Sequence, residues 1–130
     1  MQNEHDDLVR RRASPVLAIW DGETIQTPTQ GEGGGGYSGD IVASPDGGFV
    51  LSCLRTSSAF HWSPSSPDAL TLIAQLKDAG ALTPWPLAQH APGALLGSAR
   101  GVARWHPALE PVFLKWPQEM ALDNHWVLVG

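Results

Sequence analysis

Short apolar runs alternate along this chain with turns rich in Gly, Pro, Asp and Ser. Such runs, bounded by turn residues and containing many β-branched and aromatic side chains, are typical of strands rather than helices. The clearest set lies in the middle of the chain, where strands are predicted over 40–44, 49–55, 59–62 and 69–76. Pro45-Asp-Gly-Gly48 supplies the first turn, because Pro presets φ and Gly accepts positive φ. These runs predict a four-stranded antiparallel sheet.

A second set follows the same plan, with strands predicted over 82–87, 94–99, 102–105 and 111–116. Pro84 and Pro86 weaken the first of these, since each removes a hydrogen-bond donor from the ladder. Two strands, 16–19 and 23–27, precede the middle set, and the run 124–129 would begin a further sheet.

Three tryptophans give the pattern a period. Trp20, Trp62 and Trp105 stand 42 and 43 residues apart, and each closes an apolar run before a turn. A period in the low forties with an aromatic before a turn is typical of β-propeller blades, which are stable only when stacked on neighbours. The predicted fold is therefore all-β: a partial β-propeller of about three four-stranded blades. The period also predicts that the tryptophans belong to the core.

The period divides the chain into four parts. Residues 1–38 are predicted to hold the end of an incomplete blade and a Gly-rich connection, 39–78 a complete blade, 79–120 another blade, and 121–130 the first strand of a further one. The chain is thus expected to be a C-terminal fragment of a longer propeller. Gly31–Gly36 lacks the flanking strand and Lys-Ser/Thr helix of a phosphate loop and is interpreted as a flexible connection.

Charge and hydropathy narrow the possible partners. The net charge of −5 argues against nucleic acid, whose phosphates need a clustered basic face. No apolar run approaches the roughly 18 residues that a membrane span requires. The polar, acidic N-terminus has no export signal pattern.

The sequence predicts no catalytic residue and no metal site. Cys53 lies in an apolar run without an adjacent His, a setting that raises a thiol pKa, and Gly-x-Ser-x-Gly does not occur. Asp123 and His125, with His90 or His61, would not make a metal site at these spacings. His61 and His106 flank the repeat tryptophans and are interpreted as packing residues.

Propellers bind ligands at one mouth of the central channel, formed by the loops between blades and those after the second strand of each blade. The residues predicted at that mouth are Asp40, Arg55, Arg100, Asp123, Asn124 and His125. They are candidate ligand-binding residues. The alternative is that the two aspartates pair with the two arginines and only tie blades together.

The run Gly39-Asp-Ile-Val-Ala-Ser-Pro-Asp-Gly47, the loop at Arg55, the strand ending at Trp62 and the closing Asp123-Asn-His125 resemble the bacterial domain-of-unknown-function family 1513. Its members are WD-repeat-like, seven-bladed propellers exported by a twin-arginine signal and found beside imelysin-type iron-uptake proteins. The resemblance implies a periplasmic protein linked to iron uptake, with a periplasmic iron-uptake protein as a possible partner.

Two functions are therefore considered. The leading hypothesis is a non-enzymatic propeller scaffold whose mouth binds a partner protein or a small ligand. The alternative is a metal- or cofactor-dependent propeller enzyme, quinoprotein- or lactonase-like, that uses the same mouth residues. The sequence does not identify a cofactor.

Overall fold

The protein is all-β. A computed structural model describes residues 14–30, 37–87, 90–118, 126, 127 and 129. Within these residues lie antiparallel sheets of four, four and two strands, none of which closes on itself. The same residues contain no helix long and apolar enough to cross a membrane.

Eleven strands are described, and they are numbered in chain order. They are β1 Ile19–Trp20, β2 Ile25–Gln26, β3 Thr29–Gln30, β4 Ile41–Ala43, β5 Phe49–Cys53, β6 Ser58–Trp62, β7 Ala69–Gln75, β8 Leu82–Leu87, β9 His90–Ser98, β10 Gly101–His106 and β11 Leu109–Lys115. A single 3₁₀ turn, Leu54–Thr56, stands between β5 and β6.

The first four-stranded sheet contains β4 to β7 in chain order, which confirms the predicted middle set. The predicted strand 49–55 is too long at its end, because Leu54–Thr56 forms the 3₁₀ turn. Ser57 closes this turn in the left-handed conformation, and its N–H donates to the Leu54 carbonyl. The short strand β3 adds to the sheet by pairing parallel to β7.

The second four-stranded sheet repeats this plan with β8 to β11. The prolines of β8 are tolerated because β8 is an edge strand, where only one side of the backbone needs hydrogen bonds. The Gly-rich connection and most of the predicted last strand fall outside the described residues. Trp126, Val127 and Val129, which are described, are not in a strand.

Two predictions for the N-terminal segment are wrong. Its strand begins at Ile19 rather than at residue 16, while Val16 and Leu17 are buried side chains that pack on the first sheet. Trp20 is 72% exposed, so the prediction that the repeat tryptophans are all core is wrong for this one. The reason is that β1 pairs only with β2, and Trp20 lies opposite the equally exposed Ile25.

Each face of the first sheet carries an apolar core. One face packs against the N-terminal segment, with Val16, Leu17, Leu51, Cys53, Phe60, Trp62 and Leu70 buried there. The other packs against the second sheet, and its buried residues are Val42, Val50, Ala59, Leu82, Ala94 and Leu96. The first sheet is therefore the middle layer of the described structure.

The two large sheets meet along their first strands. The most extensive backbone contact between them joins β4 to β8, whereas the outer strands β7 and β11 lack comparable contact. We call the line where β4 and β8 meet the seam. Two hydrogen bonds cross it: the Leu82 N–H donates to Asp40 Oδ2 at 2.9 Å, and Ser52 Oγ donates to the Gly80 carbonyl at 2.5 Å. The sheets are thus joined at β4 and β8, and Ile73 and Ala74 of β7 also pack against the core between them.

Candidate functional site

The strand register brings several loops of both sheets to one end. Gly39 N–H donates to the Ser52 carbonyl, so the start of β4 lies beside the end of β5 and its turn. In the second sheet, Gly80 N–H donates to the Gly97 carbonyl in the same way. Because the Asp40–Leu82 hydrogen bond joins the starts of β4 and β8, the register places Asp40, Arg55 and Arg100 at this end.

Two lysines extend this end beyond the predicted residues. Lys77 follows β7, and its carbonyl accepts from the Ala99 N–H of the turn that holds Arg100. Lys115 ends β11 opposite Gly101, and the next residue, Trp116, donates its N–H to the Arg100 carbonyl. We call this surface the basic rim; it consists of Arg55, Lys77, Arg100 and Lys115, all exposed.

Among the described residues, the acidic groups at this end are Asp40 and Asp78. The Asp40 carboxylate accepts backbone N–H groups from Ile41 and Leu82, so it joins the two sheets. The predicted pairing of Asp40 and Asp123 with Arg55 and Arg100 stays a prediction. The opposite end has Asp46, Asp68 and Glu110 in its turns and strand starts, and Arg104 of β10 lies near Glu110. The two ends of the sheets therefore differ in charge.

The aromatic ring of Tyr37 lies next to Arg55 of the basic rim. The Arg55 guanidinium lies 5.3 Å from the centre of the Tyr37 ring, and Tyr37 is 43% exposed. Leu54 beside it is also exposed. The other predicted mouth residues, Asp123, Asn124 and His125, lie outside the described residues. The ligand-binding role of all six stays a prediction.

A polar cluster lies near the seam, at the end opposite the rim. His61 Nε2 is 3.2 Å from Ser44 Oγ and 3.2 Å from Asp46 Oδ1, and Ser44 Oγ also donates to Asp46 Oδ1. The imidazole lies 4.6 Å from the Trp105 ring of the second sheet. His61 is thus more than a packing residue, because it joins a turn of one sheet to a tryptophan of the other.

The cluster contains the residue types of a hydrolytic triad but not its geometry. In a triad the serine and the carboxylate bind opposite nitrogens of the imidazole, whereas here both lie on Nε2. Partial burial raises the pKa of Asp46, but hydrogen bonds from Ser44, Ser63 and His61 and from the Gly48 N–H lower that pKa well below its usual range. The Asp46 carboxyl is therefore ionised at neutral pH.

A small open pocket of about 100 Å³ lies on the second sheet. Its lining residues are Trp85, Arg104, Trp105, His106, Leu109, Glu110 and Val112. The Arg104 guanidinium stacks 5.2 Å from the centre of the Trp85 ring, and the Trp85 indole N–H is buried with no hydrogen-bond acceptor among the described residues. No sequence pattern predicts this pocket, although Trp85 and Arg104 lie in the predicted strands 82–87 and 102–105.

No group of three potential metal-ligating side chains occurs among the described residues. No family model matches the chain, and neither a curated protein nor a solved structure is significantly similar to it. The resemblance noted from the sequence therefore stays a prediction.

Proposed function

We propose that the two four-stranded sheets are consecutive blades of a β-propeller, and that the protein is a non-enzymatic scaffold that binds an acidic protein segment at the basic rim. The arrangement of the sheets supports the first part. Each contains a four-stranded antiparallel meander, and the strand contact between them joins the first strand of one to the first strand of the other. Propeller blades have this relation around a central axis.

The segregation of charge is the observation that carries the binding proposal. The chain has a net charge of −5, yet four of its eight lysines and arginines lie together on the rim. Exposed charges of one sign raise the local concentration of an oppositely charged partner and increase its association rate.

The composition of the rim favours a protein partner. Tyr and Arg are enriched in the energetically important centres of protein interfaces, and the Tyr37–Arg55 pair is exposed beside Leu54. The expected partner segment carries carboxylates for the four cations and an apolar side chain for Tyr37 and Leu54. By resemblance, a periplasmic iron-uptake protein would supply this segment.

Panning of a random 12-residue peptide display library tests the proposal. We expect the wild-type protein to enrich acidic peptides with an aromatic or aliphatic residue. The double variant Arg100→Gln with Lys115→Gln should bind the selected peptides roughly tenfold more weakly in low salt, and added salt should reduce this difference.

The control variant combines Ser65→Glu with Ala108→Glu, which changes the net charge by the same amount in two exposed turns at the opposite end. This variant should retain binding. Enrichment of peptides without acidic residues, no enrichment at all, or equal loss in both variants would contradict a binding role for the rim. Anionic vesicles and a DNA oligonucleotide serve as competing probes, and preferential rim-dependent binding of either would also overturn the proposal.

A further inference from the structure

The pocket on the second sheet has the chemistry of a small-ligand site. Two half-buried tryptophans, Trp85 and Trp105, form apolar walls with Leu109 and Val112. Ligand sites are commonly apolar concavities with a few polar groups that set orientation. Here the charged groups at the pocket are Arg104 and Glu110.

The Arg104 guanidinium has N–H groups that make no ion pair with the described residues. Arg104 contacts the face of Trp85, and its N–H groups can bind a ligand anion. The Trp85 indole nitrogen has almost no exposed surface and no acceptor among the described residues, so its N–H signal reports on packing at this wall of the pocket. Thr83, two residues earlier on β8, also has a buried hydroxyl without a hydrogen-bond partner among the described residues.

An unpaired carboxylate completes the arrangement. Glu110 lies on β11 two residues before Val112, which is the register partner of Arg104. Side chains in such diagonal positions on adjacent strands are close enough to contact one molecule. No ion pair joins Glu110 to Arg104 across the pocket, so a ligand can contact both.

We propose that this pocket binds a small zwitterion of the amino-acid type. The ligand carboxylate accepts hydrogen bonds from Arg104, its ammonium group pairs with Glu110, and its apolar side chain packs against the tryptophans. The proposal does not depend on the basic rim, because none of the rim residues lines the pocket.

Proton–nitrogen correlation NMR of the full chain tests this inference, with L-leucine as the probe. The indole N–H signal of Trp85, assigned through its loss in Trp85→Phe, should shift as leucine is added. Two analogues serve as comparators: 4-methylpentanoate, which lacks the amine, and 3-methylbutylamine, which lacks the carboxylate. Each should bind about tenfold more weakly, because one charged contact is lost.

The variants Arg104→Gln and Glu110→Gln should each weaken leucine binding by about the same factor, and Arg100→Gln on the rim should not change it. Absence of a Trp85 shift at about 10 mM leucine would overturn the site. It would mean a dissociation constant well above about 10 mM, which is weaker than binding in ordinary small-ligand pockets. Equal binding of leucine and 4-methylpentanoate would overturn the role of Glu110. If circular dichroism shows that a variant does not fold, the comparison of the three ligands on the wild-type protein still tests whether the pocket recognises both the amine and the carboxylate.

Discussion

Asp46 shows how a single side chain can stabilise a turn and a sheet contact together. Its carboxylate accepts hydrogen bonds from Ser44 and from the Gly48 N–H within the turn between β4 and β5, and it lies beside His61 of β6. His61 in turn contacts Trp105 of the second sheet. The turn could be predicted from Pro45-Asp46-Gly47, but the contact with His61 could not, because it depends on which strand lies next to the turn.

Asp46→Asn should lower the free energy of unfolding by about 1 kcal/mol at pH 7, since a charge-assisted acceptor is lost at a partly exposed position. The pKa of Asp46 is lowered in the folded state, so its stabilising effect is complete above the ordinary value of 3.8 and is lost as the pH falls below it. Urea unfolding at several pH values checks this. The difference between wild type and variant should shrink from pH 6 to pH 3; a difference that grows would contradict the assignment.

At the scale of elements, the turn between β4 and β5 depends on two adjacent glycines for different reasons. Gly47 has φ +81°, a conformation that favours glycine, but a Cβ there would make only an ordinary van der Waals contact, 3.9 Å from Pro64 Cγ. Gly48 has no such conformational need, yet a Cβ would lie 2.0 Å from the Trp62 carbonyl oxygen on the paired strand. The sequence predicts the first requirement from turn chemistry. It does not predict the second, which depends on the closeness of β6.

Gly48→Ala should therefore destabilise the protein more than Gly47→Ala. The first forces the backbones of β5 and β6 apart and should cost about 3 kcal/mol or more. The second only strains one residue and should cost about 1 kcal/mol. Thermal unfolding of the two variants, followed by circular dichroism, measures the difference. Equal loss of stability would mean that the turn relaxes away from Trp62.

Much of the strand order could be predicted from sequence, because alternation and turn residues are local signals. All eight strands of the two large sheets were predicted within a few residues, including β8 despite its prolines. The N-terminal strand was less well placed, since Val16 and Leu17 are buried by packing rather than by pairing. The basic rim was only half predicted: Arg55 and Arg100 stand in obvious turns, whereas Lys77 and Lys115 join them only through the register of outer strands.

At the scale of the whole molecule, the seam decides whether the sheets behave as one unit. Ser52 is fully buried, and its hydroxyl accepts from the Asp40 N–H at 3.0 Å while donating to Gly80. The corresponding backbone position in the second sheet is Gly97, on which the Trp126 indole lies. Repeats of this kind gain stability from the interfaces between neighbours, so each seam contact couples the two units.

Ser52→Ala tests this coupling. Removal of the hydroxyl leaves the buried Gly80 carbonyl and Asp40 N–H each short of a hydrogen bond, which should cost about 1–3 kcal/mol. The exchange of the Leu82 amide, which is bound to Asp40 across the seam, should accelerate more than that of amides inside β9 and β10. Ser98→Ala is the matched control, because Ser98 Oγ bonds only within the turn between β9 and β10. If both variants accelerate Leu82 exchange equally, the seam does not couple the sheets through Ser52.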